Sequence, residues 1–234
     1  MWNITSDWMS LKQTAICVVD QTGAIKKEGI VTSDPEAMTS SALKPTLIDS
    51  LWTSDKAILR NVLLAIAGTA ALWVSAKINV PFYPVPMTMQ TFVVLVIGMA
   101  CGWRLGAATL LLYLAEGAVD LPVFAGTPER GLGLAYMAGP TGGYLIGFVV
   151  AAAVVGWLAE RGWDRRVFTA LVAMTIGTSI IFAFGLLWLG TVIGWDKPVL
   201  ELGLTPFLPG AAFKIALAAA VLPLAWRCTV NRDA

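Results

Sequence analysis

The chain has 234 residues, 57% of them hydrophobic and 13% charged, with a mean hydropathy of +0.74 and a net charge of +1. A soluble domain sits nearer about 45–50% apolar, so the composition points to a membrane protein, and the near-neutral charge gives no basis for nucleic-acid binding. There is no histidine, which excludes imidazole metal sites and Ser-His or Cys-His triads, and no metal site is expected.

Residues 1–56 hold 12 of the 31 charged side chains (16 basic and 15 acidic). No apolar stretch follows a basic start there, so this segment reads as a soluble tail and not as a signal peptide. Cys17, Cys101 and Cys228 lack CxxC spacing and read as free thiols. From residue 57 the chain turns apolar. A membrane helix needs about 20 mainly apolar residues, and six spans are predicted, over 57–78, 89–102, 104–117, 141–160, 167–193 and 207–226. The second and third are short and can be read together as one bent hairpin. The expected organisation is an all-α integral membrane protein: a tail over 1–55, a six-helix membrane domain over 56–229 and a cytoplasmic end over 230–234.

Basic residues orient the spans. Lys56, Arg60, Arg104, Arg161, Arg165, Arg166, Arg227 and Arg232 fall on the side of the tail. Arg130 and Lys197 fall on the other, with Lys77 able to snorkel there. The excess puts both termini in the cytoplasm. The Pro/Gly-rich segments 80–88, 118–140 and 194–210 then share the outer face. Non-helical backbone at membrane depth is tolerated only where it is buried in protein or lines a cavity, so these segments are expected to fold over a ligand. No inverted repeat of broken helices is evident. No GxxxxGK[ST] loop occurs, so the chain is not expected to hydrolyse ATP itself.

Six motifs punctuate the apolar region: PVPMTMQT (84–91), GWRLG (102–106), LYLAEGAVDLPVFAG (112–126), GPTGGYLIGF (139–148), GLLWLG (185–190) and PFLPGAAFK (206–214). In this order and spacing over residues 57–229 they resemble the BioY family, the biotin-specific S components of energy-coupling factor (ECF) transporters. The resemblance implies a six-helix S-component fold and high-affinity capture of biotin at the outer face of a bacterial inner (plasma) membrane. It also implies coupling to a transmembrane T subunit and two cytoplasmic ATPases, with no cofactor and no catalysis. One position departs: where the family commonly has an acid directly after the Pro-Gly of the last motif, this chain has Ala211. Residues 10–37 separately resemble the opening of an IS110-type transposase, too short a match for a nuclease domain, with Asp7 as the counterpart of its first catalytic acid. An acid without its partners holds no metal pair, and the segment reads as a fusion or start-site scar or as an ordinary amphipathic tail.

Biotin presents a carboxylate, a ureido group with two N–H donors and one carbonyl, and an apolar ring. Such a ligand asks for a cation, polar partners and an apolar wall. Lys214, near the outer start of the last span, is the candidate cation. The positive end of the helix dipole disfavours a lysine there unless an anion is near, and the same helix end favours a carboxylate; the alternative is snorkelling. The Gln90 amide both donates and accepts, which suits a ureido group. Thr88 and Thr91 flank it, with a helix cap as the other role open to Thr88. Glu116, with Asp120 behind it, could accept from ureido N–H groups in place of the acid missing at Ala211, or could be solvated at the interface. Tyr144 offers a ring face and a hydroxyl, or belongs to an aromatic belt. Phe82, Tyr83, Phe124 and Trp188 are candidate walls. On the first span Ala67, Ala71 and Ser75 recur every four residues, and small residues so spaced let helices approach; by the resemblance this face docks the T subunit. Two other readings stay open: an S component for another vitamin, or a small membrane enzyme using Glu116 and Asp120.

Overall fold

A computed structural model of the chain describes residues 18–19, 25–26, 46–51, 57–80, 85 and 87–230. The chain forms two units, Met1–Leu43 and Lys44–Ala234. In the first, β1 (Val18–Val19) and β2 (Ile25–Lys26) pair antiparallel, with Val18 opposite Lys26. The rest of the transposase-like segment, with Asp7, lies outside the described residues, as do Phe82 and Tyr83.

The second unit is mostly helical. In order it holds α1 (Leu47–Leu51), α2 (Ala57–Lys77), a two-stranded ribbon of β3 (Asn79–Val80) and β4 (Met87–Thr88), α3 (Gln90–Ala118), α4 (Gly133–Met137), α5 (Gly142–Ala159), α6 (Val167–Ile193), α7 (Val199–Gly203), a short 3-10 turn and α8 (Leu208–Val230). Among the described residues five stretches are long and apolar enough to cross a membrane: α2, α3, α5, α6 and Val199–Trp226.

α3 is not one straight rod. Gly102 leaves helical geometry (φ +77°, ψ 175°), a conformation open to glycine at little cost. A Cβ placed on Gly106 would lie 3.1 Å from the Cα of Gly98, whereas eight residues of straight helix span about 12 Å. The chain therefore reverses at Gly102, and its two arms pack back to back through glycine. This is the break expected between the second and third predicted spans.

α5 is the central helix. Of its apolar window 67% is buried, against 11% for α2. Its glycines make that possible. A Cβ on Gly143 would meet the Cβ of Trp188 at 2.2 Å, and one on Gly156 the backbone nitrogen of Trp103 at 2.5 Å. α5 thus touches α6 at one end and the α3 reversal at the other. α2, by contrast, turns Ile58, Val62, Ile66 and Val74 outward, as a lipid-facing helix does. Ala67 and Ala71 are exposed on it. Ser75 is buried and donates to the carbonyl of Leu72 at 2.8 Å.

The compact unit reaches back before residue 56. Thr46 and Leu47 are buried; the Asp49 backbone N–H donates to Thr46 Oγ1 (3.4 Å) while the Asp49 carboxylate accepts from the Thr46 backbone N–H (3.4 Å) and hydroxyl (2.8 Å), in the manner of a capping box. Asp49 pairs with Arg60 of α2 at 2.9 Å. Deleting residues 1–43 is therefore expected to leave the thermal midpoint of the detergent-solubilised protein unchanged, while deleting 1–51 lowers it. Equal midpoints for the two truncations would show that α1 contributes nothing.

The end of the bundle that holds the α3 reversal and the α5–α6 connection carries arginines laid on tryptophan rings: Arg104 on Trp103, Arg161 on Trp157 and Arg165 on Trp226, at 5.2, 3.3 and 4.6 Å. Such amphipathic pairs suit a headgroup interface. The Asp164 carboxylate accepts from the Trp226 indole N–H, and Glu160 Oε1 accepts the backbone N–H of Trp103 at 3.2 Å. Arg104, read from the sequence as an anchor residue, stands among these pairs.

Candidate ligand-binding cleft

At the opposite end, the starts of α3, α5 and α8 converge with the latter half of α6 and the α3–α4 loop. They line a cleft that opens at its mouth and holds about 770 Å³ of space with that open mouth counted. Thr88, Gln90, Tyr144 and Lys214, four of the residues singled out in the sequence, line it together. Glu116 does not; it lies one helical turn beyond Tyr113, outside the lining. Asp120 is exposed, in left-handed backbone (φ +66°).

Lys214 is buried, and its Nζ donates to the carbonyl of Thr88 and to Thr91 Oγ1 (3.1 Å). It is the one charged side chain among the described lining residues. These neighbours are neutral acceptors, so the lysine charge has no counter-ion among them and is available to an incoming anion. The hydroxyl of Thr88 also accepts the backbone N–H of Gln90 at 3.3 Å; the N-cap position of α3 is Met89, not Thr88, and carries no side-chain cap.

Tyr144 is held at both ends. Its hydroxyl donates to the carbonyl of Gly203 at 2.8 Å, tying α5 to α7. Its ring fits a slot left by Gly185, where a Cβ would come within 2.3 Å of it. Phe124, Phe148 and Phe207 supply further apolar wall, and Ala211 adds a methyl where the resemblance leads one to expect an acid. Trp188 is not in the lining; its indole N–H donates to Gly139 O at 2.9 Å and fixes the turn before α5.

The loop side of the cleft is held by side chains that hook successive carbonyls. Tyr113 donates to Val123 O (2.7 Å), Tyr136 to Ala125 O (2.8 Å), and Lys77 to both Phe124 O and Thr127 O (3.3 and 3.0 Å). Tyr136 also stacks on Phe124 with ring centres 5.0 Å apart. Burial pushes the Tyr136 hydroxyl above its ordinary pKa, which keeps it a donor. Lys77, for which the sequence suggested snorkelling, is instead the clamp on this loop. Sequence reasoning did not single out Tyr113 or Tyr136. Both lie in or beside the Pro/Gly punctuation, and a tyrosine in an apolar run needs a polar partner when buried; that is the signal that could have found them.

Long apolar helices that close over a deep, aromatic-walled cleft with one buried cation make this a multi-pass integral membrane protein with a small-molecule binding site. The chain belongs to the BioY family, whose sequence pattern matches residues 42–231. It is similar to the biotin transporter BioY of Rhizobium etli (38% identical over 156 residues, 64% of this chain and 82% of that one). The biotin transporters BioY of Rhodobacter capsulatus (40% over 176 residues, 68% and 88%) and Thermotoga maritima (34% over 164 residues, 70% and 94%) are similar as well. Among solved structures, the S-component for biotin from an ECF-type ABC transporter has the same fold, with a TM-score of 0.64 at 20% identity over 75% of this chain and 95% of that one.

Proposed function

We propose that this chain captures biotin at the outer face of a bacterial inner membrane and is the substrate-binding S component of an ECF-type transporter. The observation that carries the reading is a buried cation that is the one charged side chain among the described residues of an aromatic-walled cleft, in a chain whose relatives are named biotin transporters. Lys214 takes the carboxylate, the rings of Tyr144 and Phe124 flank the apolar ring, and Gln90 with Thr88 meets the ureido group. Glu116, outside the lining, is not needed for the ureido contact in this arrangement.

Counting α3 as the two arms of its hairpin gives six spans, with both termini on the cytoplasmic side where the Arg–Trp pairs gather. With no phosphate-binding loop in the chain, the driving force comes from partners, a transmembrane T subunit and two ATPases. The T subunit docks on the α2 face that exposes Ala67 and Ala71; Ser75, expected to share that face, is buried inside the protein. The chain is a binder and not an enzyme: it returns its ligand unchanged.

The test is titration of the purified, detergent-solubilised protein with biotin, with thiamine and riboflavin as competitors. Tight biotin binding that a large excess of either competitor leaves in place is expected. Ala211 favours one second reading, another vitamin; displacement by thiamine or riboflavin, or a folded protein that ignores biotin, would establish it over the first.

A further inference from the structure

Tyr113 sits outside the cleft lining yet sets what the cleft presents. It is wholly buried, and its hydroxyl lies 2.7 Å from the carbonyl of Val123 and 2.8 Å from Nε2 of Gln90. A phenol carries one proton, and a backbone carbonyl only accepts. The Tyr113 proton therefore goes to Val123, and toward Gln90 the phenol oxygen is left as an acceptor. Only the amide NH2 can meet that oxygen, because two acceptors face to face repel. The Oε1 of Gln90 is thereby turned away from Tyr113. Gln90 lines the cleft, and among the described residues its Oε1 accepts no hydrogen bond.

The relay is stiff at each joint. The Tyr113 ring meets Phe124 edge-on at 5.5 Å. Val123 belongs to the loop whose next carbonyls are hooked by Lys77 and Tyr136. Gln90 is the first residue of α3, and its backbone N–H donates to Thr88 Oγ1 at 3.3 Å. An amide alone presents either edge; this one is fixed by a proton whose destination is settled elsewhere.

We propose that Tyr113 is a positioning residue for selectivity. Through Val123 and Gln90 it makes the amide contact in the cleft a hydrogen-bond acceptor, so the site selects ligands that offer an N–H there, of the urea or cyclic amide class, over ligands that offer a carbonyl or an N-alkyl group. The inference rests on the biotin reading, since the ureido ring supplies the N–H.

The experiment compares biotin with its N,N'-dimethylated ureido analogue on wild type, Tyr113→Phe and Gln90→Met. The wild type is expected to prefer biotin by well over tenfold. Tyr113→Phe frees the amide to present either edge and is expected to shrink that preference by about tenfold, the worth of one oriented hydrogen bond; Gln90→Met shrinks it as far or further. A Tyr113→Phe protein that binds both ligands more weakly by the same factor has lost packing alone, and the positioning role falls. If that variant is not recovered folded, Gln90→Met decides: an unchanged preference overturns the inference. A folded wild type that binds no biotin overturns the biotin reading and this inference with it, a result distinct from bound biotin with an unchanged preference, which removes the positioning role alone.

Discussion

Replacing Lys214 by alanine is expected to weaken biotin binding by about a hundredfold, close to 2.7 kcal/mol. The lysine is buried with only neutral acceptors around its Nζ, Thr88 O and Thr91 Oγ1. A carboxylate entering the cleft thus meets a cation whose desolvation has already occurred on folding, and removing one partner of such a buried pair costs about 2–5 kcal/mol. The loss should be specific to the charged end of the ligand. Wild type should prefer biotin over its methyl ester by a similar factor, and Lys214→Ala should bind the two alike. If Lys214→Ala keeps full preference for the free acid, the carboxylate is bound somewhere else and the orientation of the ligand proposed above is wrong.

A large stability effect is expected from Gly143→Val. A Cβ there would stand 2.2 Å from Trp188 Cβ and 2.4 Å from the carbonyl of Phe184. Neither neighbour is the far end of a flexible side chain, so α5 and α6 must separate. Overpacking typically costs about 1–3 kcal/mol, and a clash against backbone at the most buried helix belongs at the upper end. The displaced helix start also carries Tyr144, so ligand binding falls along with the thermal midpoint. A Gly143→Val protein with the wild-type midpoint in detergent would show that the α5–α6 seam is looser than these contacts require.

Much of this arrangement is legible in the sequence, and what is not has a physical reason. Hydropathy finds the spans because the membrane demands continuous apolar runs whatever lies around them. The reversal at Gly102 is legible because two short runs flank a Gly-Trp-Arg break. Lys214, Gln90, Thr88 and Tyr144 stand out because polar groups at span ends in Pro/Gly-rich surroundings have few bland roles. Glu116 stands out by the same rule but lies off the lining: the position of a residue along a span gives its depth, and which side of the helix faces the cleft is decided by packing. The hooks on the loop escaped for another reason. Lys77, Tyr113 and Tyr136 all donate to backbone carbonyls, and a carbonyl leaves no trace in the side-chain sequence. α1 falls inside the stretch that reads as tail, because five residues carry too little periodicity to be seen.

The slight burial of α2 has a consequence for assembly. Only 11% of its apolar window is covered by the rest of the protein, so most of its contacts within a bilayer are with acyl chains. A partner helix laid along Ala67 and Ala71 exchanges lipid for protein and leaves the seams of the central helix intact. Gln90, Tyr144 and Lys214 sit on α3, α5 and α8, away from that face, and α2 reaches the cleft only through Lys77 at its end, which hooks the loop carbonyls. On the function proposed above, one folded body serves in two settings, loaded by itself in the lipid or held in a larger machine, without being rebuilt as it passes from one to the other.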